Sequence, residues 1–224
     1  MHRIFFLLIA ISFFSCSDKS SKELNQVSDN LNDVLNCKDL RKLTSKYGEQ
    51  NLVADTLIIM GDDTLRGTIL YPSTNNQVFV FYHNDQIIDV TIMGEKSDWK
   101  TESGLYLGMN LKEVEKINDK SFTISGFNWA HGGTVVSWEG GKLGGEKLSH
   151  VATFSNKNNQ HADISEDEYR QISGQTEFDV RHPMIQKLNP LLDQLSIVSP
   201  YVPNESEGKN MGQLIEKSQI KQKR

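Results

Sequence analysis

Apolar residues change their spacing several times along the chain, and each change predicts an element. Residues 4–14 are apolar except for Ser12. Leu40, Leu43 and Tyr47 recur at helical spacing, as do Leu111, Val114 and Ile117, so a short helix with one buried face is predicted at each place. Gly48 is placed to end the first. Apolar-rich runs at 57–60 and 65–70 flank Gly61, Asp62 and Asp63, and runs at 77–82 and 87–93 flank Asn84, Asp85 and Gln86; both pairs read as β-hairpins. One strand is predicted at 121–125, and 133–138 with 150–155 read as a further hairpin joined by the glycine-rich stretch 140–145. A short helix over 166–172 ends at Gly174, and Pro183 sits in the first turn of another that Pro190 limits. Residues 195–198 offer a last strand, closed off by Pro200 and Pro203.

Two of these stretches resemble each other. NCKDLRKL at 36–43 matches NLKEVEKI at 110–117, type for type at seven of eight places. Each opens on an Asn suited to an N-cap and places a carboxylate three residues later, Asp39 or Glu113, in the manner of a capping box. Each is followed by strands. The fold class expected is therefore α+β: two helix-plus-antiparallel-meander units packed as one domain, with helices on one sheet face. The first unit spans 28–98 and the second 99–163; short C-terminal helices and a final strand fill 164–203. Cys37 aligns with Leu111, which places it at an apolar position where a free thiol packs as a small hydrophobe.

The apolar block at 4–14 is too short to cross a hydrocarbon core as a helix, which takes roughly 17–25 residues. It has the length and flanks of a secretory signal, so residues 1–15 are set aside as a signal peptide. Ser15 before Cys16, with Phe13 and Phe14 upstream and polar residues after, resembles a bacterial lipobox. That resemblance implies cleavage before Cys16 and lipid attachment to its thiol, and two or three acyl chains make a durable membrane anchor. The alternative is ordinary cleavage and a disulfide between Cys16 and Cys37. Residues 16–27 read as a lipidated tether and 204–224 as a mobile tail. The expected location is the bacterial cell envelope, at the outer membrane, held through the lipid on Cys16.

Charge narrows the partners. The full chain carries a formal −5, and loss of the signal removes only Arg3 among charged residues. A mildly acidic protein lacks the clustered positive charge that phosphate backbones require, so no nucleic acid is expected. The stretch 140–148 has the glycines of a phosphate loop without the spacing to Gly-Lys-Ser/Thr. His83, His131, His150, His161 and His182 show no metal-ligand spacing. No cofactor, metal or catalytic set is read from the sequence, and the chain is not read as an enzyme. The candidate recognition residues are Phe127, Asn128, Trp129 and His131, grouped between glycines that permit unusual turns. The competing reading has Phe127 and Trp129 plugging one end of the core.

The stretch 107–114, LGMNLKEV, resembles the Gly-Met-Thr-x-x-x-Val helix start of small BamE-type outer-membrane lipoproteins, with Asn110 in place of Thr. The resemblance implies helices against a short antiparallel sheet; the β-lactamase-inhibitor proteins share a related, duplicated architecture. Residues 99–143, with GFNW, GGTV and GGKL, are similar to lipoproteins of the Bacteroidota type, which implies an envelope location and no activity. The function expected is binding or scaffolding of an envelope protein partner. The alternatives are a hydrolase inhibitor that inserts 126–133 into a cleft, and a small-ligand or glycan-binding module ringed by Trp99, Trp129 and Trp138.

Overall fold

A computed structural model describes residues 29–61, 63–145, 149–156 and 164–199. The expected signal peptide, Cys16, the tether and the tail at 204–224 lie outside the described residues. Among the described residues no helix is long and apolar enough to cross a membrane. The fold is α+β.

The chain opens with two short helices, α1 (Leu31–Leu35) and α2 (Leu40–Tyr47), followed after a single 3-10 turn by a four-strand meander: β1 (Leu52–Met60), β2 (Asp63–Leu70), β3 (Val78–His83) and β4 (Gln86–Met93). Helix α3 (Leu111–Asn118) precedes β5 (Thr123–Ser125), β6 (Val135–Ser137) and β7 (Ser149–Ser155). Then come α4 (Glu166–Gln171), β8 (Glu177–Asp179), α5 (Pro183–Leu188) and β9 (Leu191–Val198). Six strands form one antiparallel sheet in the order β1-β2-β3-β4-β9-β7, and three form a second in the order β6-β5-β8.

Alternation along each strand sorts the large sheet into two faces. Leu70, Val78, Val80, Val90, Ile92, Leu195 and Ile197 point into the main core, which they share with Leu31, Val34, Leu43, Leu111, Val114, Phe122 and Phe154. The other face carries Phe79 and Phe81, with Thr91 and Asp89 as their cross-strand neighbours. It is covered by the chain itself: the β1–β2 ribbon breaks register between Val53 and Thr56, where Asp55 adopts φ 52°, and its Ile58 packs on Phe79 and Phe81. This close passage requires Gly67, because a Cβ there would lie 2.6 Å from the Val80 carbonyl oxygen and 2.8 Å from Ile58 Cδ1.

Several expectations hold. The β1–β2 and β3–β4 hairpins turn where the sequence places them, Gly48 caps α2 at φ 84°, and Pro183 stands in the first turn of α5. Asn110 and Glu113 form a complete capping box on α3. Cys37 is a buried free thiol, 6 % exposed, whose Sγ donates to the Asp33 carbonyl at 3.3 Å.

The internal match does not carry over. Asn36 caps the end of α1, and α2 begins at Leu40 with Asp39 as its N-cap, accepting the Lys42 N–H at 2.8 Å. The carboxylate expected to close a capping box is itself the cap. The expected hairpin of 133–138 with 150–155 does not form either. β6 pairs with β5 in the small sheet, β7 pairs with β9 in the large one, and one isolated bridge, Thr134 to Thr153, links the two segments. The second half therefore splits its strands between two sheets where the first half lays four in a row.

Asp89 stands out on the ribbon-covered face. Its carboxylate accepts the Thr91 hydroxyl at 2.7 Å, and Thr91 and Ser196 hydroxyls meet at 2.6 Å. Burial raises the Asp89 pKa, and the Thr91 hydrogen bond only partly opposes this. Between the ordinary carboxylate value and the raised one, the folded protein holds a proton that the unfolded chain has released. Stability therefore falls as pH rises through that window and stays lower above it. Asp89→Asn is expected to flatten this slope in denaturation midpoints taken from acid to neutral pH and to raise stability at neutrality. Each tenfold tightening of proton binding that the substitution relieves is worth about 1.4 kcal/mol.

Candidate binding groove

The loop from 126 to 133 connects β5 to β6 and is fixed by backbone bonds to the chain around α4 and β8. The Gly126 N–H donates to Thr176 O at 2.7 Å, Phe127 N–H to Ile172 O at 2.8 Å, and Gly174 N–H to Phe127 O at 2.7 Å. Phe127 is buried, with its ring 6.3 Å from that of Tyr169. Asn128 takes the left-handed conformation at φ 64° and is exposed. The Trp129 indole N–H donates back to Gly126 O at 2.8 Å, and the ring meets His131 edge-on at 5.1 Å. The Ser125 hydroxyl donates to the His131 carbonyl.

Gly133 locks the far end. Phe154 N–H donates to its carbonyl at 2.9 Å, its φ is 74°, and a Cβ would stand 1.9 Å from Phe154 O. Gly133 thus lets the loop lie against β7, while Gly132 lets the loop fold onto its own backbone at Phe127 and Asn128.

This loop forms one wall of a groove of about 880 Å³. Phe127, Asn128 and Trp129 line it; His131 packs on Trp129 and is not among the lining residues. Three of the four recognition residues read from the sequence therefore share one surface. The groove is also lined by Met93 at the end of β4, Gly94 and Glu95 just after it, and Ile59 and Gly61 from the tip of the β1–β2 ribbon. Thr153, Ser155, Asp193 and Gln194 from β7 and β9 complete it, with the Ser155 hydroxyl donating to the Asp193 carboxylate at 2.6 Å. Tyr169 adds a further aromatic ring to those of Phe127 and Trp129, and burial raises its phenol pKa.

Sequence reading missed Ile59, Met93, Tyr169 and Asp193, each on a different element. Nothing in local spacing brings them together; the sheet order and the folded-back ribbon do. The ring of three tryptophans does not assemble. Trp99 is buried against Tyr47 and Tyr71, at 6.3 and 6.4 Å, while Trp138 packs on Phe122 at 5.2 Å. Only Trp129 of the three reaches the groove.

Chemically the groove offers aromatic and aliphatic surface with two carboxylates, Glu95 and Asp193, at its edges. Among the described residues no group of three or more His, Cys, Asp or Glu is placed to hold a metal ion. A second cavity of about 850 Å³ is lined by Asp39, Arg41, Asp55, Arg66 and Asp85, where Arg66 is already paired with Asp55.

Gly133→Ala tests the rigidity of the loop. A left-handed alanine costs roughly 1–3 kcal/mol in backbone strain, and the overlap with Phe154 O adds to it, so a fall in the thermal midpoint of several degrees is expected. The chain matches no protein-family model, no curated protein and no solved structure.

Proposed function

We propose that the chain is a lipid-anchored envelope module that binds an extended segment of a partner protein in the groove between the 126–133 loop and the β1–β2 tip. One observation carries this reading: an internally bonded aromatic wall shares a groove with a ribbon whose Leu57 and Ile59 are 70 % and 75 % exposed. Apolar strand residues held in water beside a groove are what an interaction surface presents. A preformed wall also lowers the ordering cost of association. The Glu95 carboxylate favours a segment with a lysine or arginine flanking its apolar side chain.

The lipobox at Cys16 supports the anchor, and the resemblance of 107–114 to BamE-type lipoproteins supports the outer membrane as its place. A photo-crosslinking residue at Ile59, introduced into cells making the full chain, should yield a single major adduct. Trp129→Ala should reduce that adduct at least about 30-fold, the loss expected when a central aromatic worth ~2 kcal/mol is truncated. An unchanged adduct would remove the groove from consideration. Separately, Cys16→Ala should release the protein from the membrane fraction, and mass spectrometry of the mature N-terminus should find an acylated cysteine.

A further inference from the structure

Outside the groove, Thr101, Ser103, His150 and the carbonyl of Leu143 form one hydrogen-bond chain, and the chemistry of its members fixes its direction. The Leu143 carbonyl has no proton to give, so His150 Nδ1, 3.1 Å away, carries one and donates it. Burial lowers the His150 pKa, with the Leu143 bond opposing. The ring is therefore neutral at pH 7, and Nε2 holds a bare lone pair. Ser103 Oγ lies 3.1 Å from Nε2, so its hydroxyl donates. With its one proton directed there, Ser103 Oγ accepts from the Thr101 hydroxyl at 2.7 Å. Thr101 Oγ1 in turn accepts the Leu105 N–H at 3.0 Å.

Both sides of this arrangement are anchored. The wholly buried Asn118 accepts the Leu143 N–H at 3.1 Å and donates to the Trp138 carbonyl at 3.0 Å. The Trp138 indole donates to the His150 carbonyl, also at 3.0 Å. Gly141 is needed here, since a Cβ would fall 2.2 Å from Asn118 Oδ1. Ser103 stands exposed on a turn closed by Gly104 N–H to Thr101 O at 2.9 Å.

We propose that Ser103 is a nucleophile, with His150 as its general base, that accepts the acyl group of a small activated carboxylic ester reaching it from solvent. A nucleophile bonded to a base, and a base oriented by a third group, is the arrangement this chemistry requires. Ser103 Oγ bonds to the acyl carbon as its proton passes to Nε2. The ester C–O bond breaks, and the departing alkoxide takes that proton from the imidazolium. Water then attacks the acyl-serine, giving its proton to Nε2; the acid departs and the proton returns to Ser103 Oγ. Thr101 acts as a positioning residue, donating to Oγ as negative charge develops there. The site does not rest on the groove.

The test treats the full mature chain with p-nitrophenyl acetate at neutral pH and locates the acetyl group by peptide mass spectrometry. Acetylation of Ser103 should run at least about 100-fold faster in native than in urea-unfolded protein, the scale of general-base catalysis. Ser103→Ala should abolish the modified peptide, and His150→Gln should slow its formation by a similar factor while thermal midpoints stay near that of the parent. Equal labelling of native and unfolded chains overturns the proposal, whatever becomes of the variants. So does undiminished Ser103 labelling in folded His150→Gln, or acetyl found on lysines alone.

Discussion

The insertion of β9 between β4 and β7 makes one sheet out of two halves of the chain. β9 pairs with β4 from Asp89 to Met93 and with β7 along the whole length of that strand, while β7 has no other strand partner in the large sheet among the described residues. Its Leu195 and Ile197 are fully buried, and its Ser196 meets Thr91 across 105 residues of sequence. The meander β1 to β4 rests on local pairings, but the large sheet cannot be completed until its second-to-last position is filled by the last strand. That is a costly closure, since the intervening chain must be ordered before the pairing repays it. Asp193 and Gln194 of the same strand border the groove, and β7 carries His150. Both candidate sites therefore depend on β9.

Covering both faces of the sheet is the second demand on this sequence. The helices and the aromatic cluster of Phe122, Trp138 and Phe154 fill one side. On the other side, the β1–β2 ribbon turns back to lay Ile58 over Phe79 and Phe81. The ribbon's own second face then has nothing to cover it among the described residues, which is why Leu57 and Ile59 are exposed. The apolar surface of the proposed interface follows from solving a packing problem with a two-strand ribbon. Asp89 and Thr91, the cross-strand neighbours of Phe81 and Phe79, put a hydrogen-bonded polar pair on that same face of the sheet.

What the sequence made legible was local. Turn residues and alternation located β3 and β4 to within a residue, and the Asn110–Glu113 box marked the start of α3 because both halves of that reciprocal bond lie within four positions. Where a choice of partner was needed, local pattern failed. Residues 133–138 look able to pair with 150–155, but β6 pairs with β5 and β7 with β9. The likeness of 36–43 to 110–117 was compositional, since Asp39 serves as cap in one and its counterpart Glu113 as the third helical residue in the other. Phe127, Asn128 and Trp129 could be picked out as a cluster. Their setting, in one groove with Met93 and Ile59, is a product of topology.

The glycines at 126, 132, 133 and 141 show why composition alone misleads about motion. A glycine-rich stretch reads as flexible when nothing is known of its neighbours. Here, at 133 and 141, a single methyl group would strike a backbone carbonyl or the Asn118 amide. At Gly126 a Cβ would stand 2.6 Å from the Gly174 carbonyl oxygen, and at Gly132 the loop's own backbone comes within 3.1–3.2 Å. These residues are small because other chain segments pass against them, and the hydrogen bonds made through that close approach hold the loops in place. Trp129 and the Leu143 carbonyl are each positioned by such a loop, one toward a groove and the other toward His150. In this fold, glycine confers order at the places where the proposed chemistry and recognition are sited.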